Sequence, residues 1–202
     1  MYRVVKRSFD FICALIGLIV TAPLWLIAII GIQVSDPGPI FYIATRIGKG
    51  NKPFKMYKFR SMTNDCDENG QLLPDAQRMT SFGSFLRSTS ADELPELFSI
   101  LKGDMAFIGP RPLPPVYLPY YTERESLRHT CRGGMSGLAQ INGRTSITWD
   151  EKFAYDVEYV EHMSFKQDFR IFCQGACYGD ALLLAAGKLR REVVQPLAQP
   201  HA

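Results

Sequence analysis

The sequence predicts an α+β fold, mainly helical with a small β element, attached to a membrane through its N-terminal segment. Three observations carry this. From Phe11 to Val34 no residue is charged, and Ile, Leu, Val, Ala, Phe and Trp dominate the run. Pro53 to Arg60 sets Phe54, Met56, Tyr57 and Phe59 among Lys55, Lys58 and Arg60, as a half-buried strand does. Leu94, Leu97, Phe98 and Leu101 recur at the spacing of one helix face. The chain has 202 residues, and domains usually run to about 100 to 200 residues, so one core plus an anchor is the expected organisation.

About 22 helical residues at 1.5 Å each reach roughly 33 Å, enough to cross a bilayer core. Arg3, Lys6 and Arg7 precede the apolar run, as in a cleaved signal peptide. The run is too long for a typical signal core, however, and no small-x-small site follows before Asp36. Pro23 sits near the middle, where its missing N–H and its clash with the Ile19 carbonyl predict a kink. Downstream, Arg46, Lys49, Lys52, Lys55, Lys58 and Arg60 follow with no acid between Asp36 and Asp65. Basic flanks prefer the cytoplasmic face, and both ends of the segment qualify. Residues 1–35 are therefore expected to form a re-entrant helix-break-helix hairpin, with Met1 and Ala202 on one side. Thr21 could satisfy backbone freed at Pro23, and a simple span is the alternative.

Lys plus Arg number 23 and Asp plus Glu 20, a balance of +3 too small to suggest a nucleic-acid binder. The five cysteines, Cys13, Cys66, Cys131, Cys173 and Cys177, are odd in number and scattered, and are read as reduced thiols. Cys173 and Cys177 would share a helix face, but His129 and His162 do not complete a zinc spacing. Residues 36–187 form the polar domain, and residues 188–202 read as a basic, poorly ordered tail.

Within that domain, Pro39 to Ala44 is a first strand and Asp65 to Leu72 a turn-rich loop. Pro95 fits only the first turn of a helix, so a helix starts near Asp92. Asp92 as N-cap, or Ser90 with Glu93 as a capping box, is the structural reading of those residues. A carboxylate at a helix N-terminus is also kept ionised, which a nucleophile or a magnesium ligand requires. Arg111, wedged between Pro110 and Pro112, presents a guanidinium on a stiff loop and suits bidentate phosphate binding. A second, glycine-rich loop runs from Arg132 through Gly133, Gly134, Gly137, Gln140, Asn142 and Gly143 to Arg144. Its glycines would allow close backbone approach to a phosphate.

Together, Lys55 to Met62 (KMYKFRSM), Asp92 to Leu97 (DELPEL), Leu101 to Pro112 (LKGDMAFIGPRP) and Gly137 to Arg144 (GLAQINGR) resemble the bacterial sugar transferase family. These are monotopic polyprenyl-phosphate phosphoglycosyl transferases, and the likeness runs from about residue 3 to 170. The resemblance implies transfer of a phosphosugar from a nucleoside-diphosphate sugar, commonly a UDP-sugar, to undecaprenyl phosphate, with release of UMP. It implies a covalent phosphosugar on Asp92 of the Asp92–Glu93 dyad, with Mg²⁺ held by those two carboxylates. It also implies interfacial amphipathic helices and a place on the cytoplasmic face of the bacterial inner membrane, against phospholipid. Lys58, Arg87, Arg111 and Arg144 are the expected charge-neutralising cations, with Gln140 and Asn142 as further substrate contacts. Glu93 would ligate metal or accept the proton of the lipid phosphate.

The sequence departs from the family pattern at Ala22, where Ser is usual before the hairpin proline. It departs again at Arg132-Gly133-Gly134, where Arg-Pro-Gly is usual. A non-catalytic membrane scaffold with a basic lipid-binding surface is the competing class. An aspartyl-phosphate hydrolase is a third, for which no P-loop is present. Pocket shape, and not these motifs, selects the sugar, and a homo-oligomer is compatible with the sequence.

Overall fold

The computed structural model describes residues 2–143 and 146–185, with side chains through residue 175. Arg144 and the 188–202 tail lie outside the described residues, as does the side chain of Cys177.

Helix α1, Tyr2–Ser35, runs unbroken through Pro23. The expected two-helix hairpin is thus one helix of 34 residues, about 51 Å long at 1.5 Å per residue. Its sequence explains both its continuity and its seat. Asp10, Ala14, Ala28 and Ile32 are buried, and Gly17, Thr21 and Trp25 are partly buried between them. They form one stripe at helical spacing down the whole length. Pro23 falls on the opposite, exposed face. The Thr21 hydroxyl donates to the Gly17 carbonyl at 2.7 Å and not to the Ile19 carbonyl that Pro23 frees.

The domain packs along this stripe from end to end. At the N-terminal end, Lys6 Nζ lies 2.7 Å from Asp168 Oδ2. Arg7 donates to the carbonyls of Ile100 and Leu101 at 2.5 and 2.8 Å. At the other end Arg60 pairs with Asp36 at 2.9 Å. The remainder of α1 is bare: Val4, Phe9, Ile12, Ile16, Ile19, Val20, Leu26 and Val34, among others, are exposed. A face this apolar and this long is unlike that of a water-facing helix. It is long and apolar enough to cross a membrane.

Strands β1, Phe41–Ile47, and β2, Pro53–Phe59, form an antiparallel hairpin in register from Phe41↔Phe59 to Ile47↔Pro53. The turn places Gly50 and Asn51 at φ 68° and 60°, the left-handed pair that a tight hairpin needs. Pairing with β2 carries β1 three residues past the expected Ala44. Short α2, Asp75–Arg78, leads to α3, Ser81–Ser88. The N-cap Thr80 side chain of α3 accepts from the Gly83 N–H at 2.8 Å.

Helix α4 spans Glu96–Lys102. It begins after Pro95 and not at Asp92, and Gly103 at φ 92° ends it. Strand β3, Met105–Ile108, pairs in parallel with β4, Gly133–Ser136. Between them lie the Pro-rich segment and α5, Glu123–Ser126. The chain then forms α6, Leu138–Ile141, and α7, Trp149–Glu161, which opens on a Thr148–Glu151 capping box. It closes with α8, Phe165–Ala185.

The described part of the supposed glycine loop, residues 132–143, is therefore a strand and a helical turn. Its glycines serve packing against the Gly109–Pro112 segment. A Cβ at Gly134 would lie 2.2 Å from the Gly109 nitrogen, one at Gly137 2.3 Å from the Gly109 oxygen, and one at Gly133 2.5 Å from the Pro112 ring. Only residues without Cβ let the two segments meet.

Candidate active site

One cavity of about 1480 Å³ opens between the β1–β2 hairpin, α3, the turn at Ala91–Glu93, and the Gly109–Pro114 segment. It is bounded on its far side by α7 and α8. Lys58, Arg87, Asp92, Glu93, Arg111 and Gln140 all line it. Asn142 does not line it: its amide donates back to the Leu138 carbonyl at 2.8 Å and closes α6 instead.

The Asp92–Glu93 pair lies on a single 3₁₀ turn, Ala91–Glu93, preceded by Ser90 at φ 55°. Ser90 makes no side-chain cap, and the N-cap of α4 is Pro95 and not Asp92, so neither capping explanation of these acids holds. Left-handed backbone at a serine is uncommon, and here it turns both carboxylates toward the cavity. No side chain among the described residues donates a hydrogen bond to Asp92. Burial raises its pKa, partly offset by Lys58, while the neighbouring Glu93 charge raises it further. Because α4 begins only at Glu96, Asp92 stands before that helix on its own 3₁₀ turn, where its own backbone N–H works against the rise.

Glu93 is held very differently. Its Oε1 accepts from Lys58 Nζ at 2.7 Å and pairs with the Arg111 guanidinium. Burial alone would raise its pKa, but Arg111 and Lys58 together hold it well below the usual carboxylate range. Such a group stays anionic and is a poor proton acceptor at neutral pH. Arg111 also donates to the Met135 carbonyl at 3.0 Å. Arg87 is exposed and lines the cavity, its Nε on the Ser61 hydroxyl at 2.9 Å and one Nη on the Met62 sulfur at 3.5 Å.

Three features were not among the expected site residues. Glu96 is fully buried, with Lys58 Nζ 3.2 Å from its Oε1. That lysine is aligned on Glu93, and neither Glu96 oxygen accepts a hydrogen bond. Burial, and then the Glu93 charge, raise its pKa. Arg46 also lines the cavity, donating to the adjacent Thr45 carbonyl at 3.2 Å, and burial and the nearby Arg111 lower its pKa. Arg128 and Asp156 form a buried pair in the cavity wall. A clue existed for the last: Asp156 sits between Phe153 and Val157 on the buried face of α7, where a lone acid implies a buried cation.

The Gln140 amide has no hydrogen-bond partner for its oxygen or nitrogen. Among the described residues no group of three or more His, Cys, Asp or Glu forms a metal cage. Two adjacent carboxylates, Asp92 and Glu93, are a donor set suited to Mg²⁺, which takes one or two carboxylates and fills its remaining positions with water and phosphate oxygens.

The family model for bacterial sugar transferases matches residues 1–178. The chain is 45% identical over 170 residues to a protein of Bacillus subtilis (strain 168) described as the uncharacterized sugar transferase EpsL, covering 84% of each chain. It is 36% identical over 180 residues to the UDP-N-acetylgalactosamine-undecaprenyl-phosphate N-acetylgalactosaminephosphotransferase of Aeromonas hydrophila, covering 85% of this chain and 42% of that one. It is 37% identical over 182 residues to the UDP-glucose:undecaprenyl-phosphate glucose-1-phosphate transferase of Xanthomonas campestris pv. campestris, covering 84% of this chain and 37% of that longer one. With a cavity-facing carboxylate among cations and such relatives along most of its length, the chain belongs to the bacterial sugar transferase family and is a membrane-associated phosphoglycosyl transferase.

Proposed function

We propose that the protein transfers a sugar phosphate from a UDP-sugar to undecaprenyl phosphate, in two steps through Asp92. In the first, an Asp92 carboxylate oxygen bonds to the sugar-bearing phosphorus and the pyrophosphate P–O bond breaks, releasing UMP. In the second, a phosphate oxygen of undecaprenyl phosphate bonds to the same phosphorus. The Asp92–phosphorus bond breaks, the carboxylate returns, and a lipid diphosphate sugar leaves. The observation that carries this reading is the contrast inside the dyad: Asp92 lines the cavity with no side chain bonded to it, while Glu93 is tied down by Lys58 and Arg111.

Both substrates are anions, so attack by a carboxylate requires fixed positive charge nearby. Lys58 and Arg87 lower the Asp92 pKa by their charge and would act equally on a phosphate there. Arg46, which meets no carboxylate within ion-pair distance among the described residues, is a further cation for the diphosphate. Mg²⁺, held by Asp92 or Glu93 together with phosphate oxygens, would supply additional charge neutralisation when bound. Glu93 serves to hold Lys58 and Arg111 in place, and its depressed pKa argues against its use as the base.

A polyprenyl acceptor cannot leave the bilayer, so the cavity must sit at the lipid surface. The seat of α1 supports a monotopic arrangement in which both of its ends stay on the cytoplasmic face of the inner membrane. A helix bound to the same domain near Lys6 and near Asp36 cannot cross without drawing that domain into the bilayer. Phe165, Phe169 and Phe172 are exposed on α8, and Phe172 also lines the cavity, which supports α8 as an interfacial helix.

The test is incubation of purified protein with a panel of UDP-sugars, Mg²⁺ and undecaprenyl phosphate, scoring UMP. Asp92→Asn is expected to abolish release while leaving the fold intact, and wild-type protein trapped with donor should carry a sugar-phosphate mass on Asp92. A lipid-binding scaffold would show no UMP with any donor, and in it the amide variant would alter only stability.

A further inference from the structure

The segment carrying Arg111 is fastened on both sides by backbone hydrogen bonds. The Gly109 N–H donates to the Ser136 carbonyl at 2.9 Å, the Gly134 N–H to the Pro110 carbonyl at 3.0 Å, and the Ile47 N–H to the Leu113 carbonyl at 2.9 Å. Pro110 and Pro112 have no N–H to offer. At the centre of the bend, the Arg111 carbonyl is met by a side chain: Arg128 donates to it at 2.8 Å.

Arg128 is itself immobilised. It is 3% exposed, as is Asp156, whose Oδ2 accepts from Arg128 Nε at 3.0 Å and lies 2.8 Å from Nη2 as an ion pair. A third edge donates to the Tyr121 hydroxyl at 2.8 Å, and the Tyr121 and Phe153 rings lie 5.5 and 5.4 Å from the guanidinium carbon. A planar fork satisfied on three sides has almost no freedom, which an ammonium on the same stem would not reproduce. The buried carboxylate on α7 therefore reaches Glu93 through a continuous chain: Asp156, Arg128, the Arg111 peptide, the Arg111 guanidinium.

The geometry points to Arg128 and Asp156 as positioning residues for the transfer reaction, setting where the Arg111 guanidinium stands relative to Glu93 and the reacting phosphate. This rests on the proposed function only in assigning Arg111 to the reaction. A buried ion pair can also be merely structural. The distinguishing feature here is that its free donor falls on the one peptide carbonyl that presents a site arginine.

The experiment is a double-mutant cycle between Arg128→Lys and Arg111→Ala, read as kcat and KM for UMP release. Misplacement by about 1 Å costs on the order of 100-fold, so Arg128→Lys should lower kcat about 10- to 100-fold with KM for the donor little changed. In the Arg111→Ala background it should cost almost nothing further. Multiplicative losses, or full kcat in folded Arg128→Lys, would overturn the inference. Should Arg128→Lys fail to fold, Tyr121→Phe removes one of the three fastenings and keeps the ring, and the same cycle is read with it. If wild-type protein releases no UMP from any donor, it is the proposed function that fails. The positioning role is then read from hydrogen exchange at the Gly109 and Gly134 amides, which Arg128→Lys or Tyr121→Phe should accelerate; unchanged exchange would overturn it.

Discussion

Glu96 shows how one side chain can be costly and still be kept. It is sealed from water beneath the dyad, close to Glu93, and shares a lysine that is aligned elsewhere. Burial and the Glu93 charge raise its pKa from 4.5 to about 7, so the folded protein prefers it neutral. Its contribution to stability is complete below its unfolded value and is lost as pH rises through the folded one. Glu96→Gln keeps the shape and removes that loss. The variant is expected to be about 1 to 3 kcal/mol more stable than wild type at pH 8, at 1.36 kcal/mol per pKa unit, with the gap closing toward pH 4.5. Urea unfolding of both proteins in detergent, with chelator present, measures it; a gap that is the same at both pH values would contradict the assignment. The site acids Asp92 and Glu93 were legible from their pattern, and so were Lys58, Arg87 and Arg111. Glu96 was not, because its meaning depends on being three residues beyond Glu93, on a helix whose start the linear pattern placed too early.

At the scale of elements, the close approaches are made by glycines, and they are unequal. A Cβ at Gly31 would meet the Phe82 ring at 2.2 Å, whereas one at Gly83 would meet the Ser61 carbonyl oxygen at 1.9 Å. A ring can swing aside; a carbonyl in a packed segment cannot. Gly83→Ala should therefore push α3 away from the end of β2, costing roughly 2 to 4 kcal/mol as overpacking does. Gly31→Ala should cost less. Because α3 carries Arg87, whose Nε is anchored on Ser61, the Gly83 variant should also lose transferase activity beyond its loss of stability. Thermal unfolding and UMP release on the two variants separate these effects. The same logic explains why the segment from Arg132 to Arg144 misled the linear reading. Glycines that spare a phosphate and glycines that spare a backbone look alike in sequence, and only the positions of Gly109 and Pro112 distinguish them.

For the whole molecule, α1 is a structural member of the domain as well as a long apolar surface. Asp168 accepts from Tyr2 at 2.6 Å, Lys6 at 2.7 Å and Tyr159 at 2.7 Å, joining the start of α1 to α7 and α8. The far end of α1 is fastened at Arg60. In the proposed arrangement, cysteines replacing Arg3 and Ser35, both exposed, should react with a membrane-impermeant maleimide from the cytoplasmic side only. Labelling from opposite sides would remove the monotopic arrangement. The apolar character of α1 was determined by the sequence alone, because an uncharged run of that length must be covered by protein or by lipid whatever the rest of the chain does. The motif acids and cations of the site were likewise set by residue type. The tertiary structure alone decided that Pro23 bends nothing into two helices, and that Ala14, Gly17 and Ala28 face protein. It decided too which of two adjacent carboxylates is held by Lys58 and Arg111. Those outcomes depend on which surfaces meet, and a packing stripe or an ion pair between residues far apart in the chain exists only once the chain has folded.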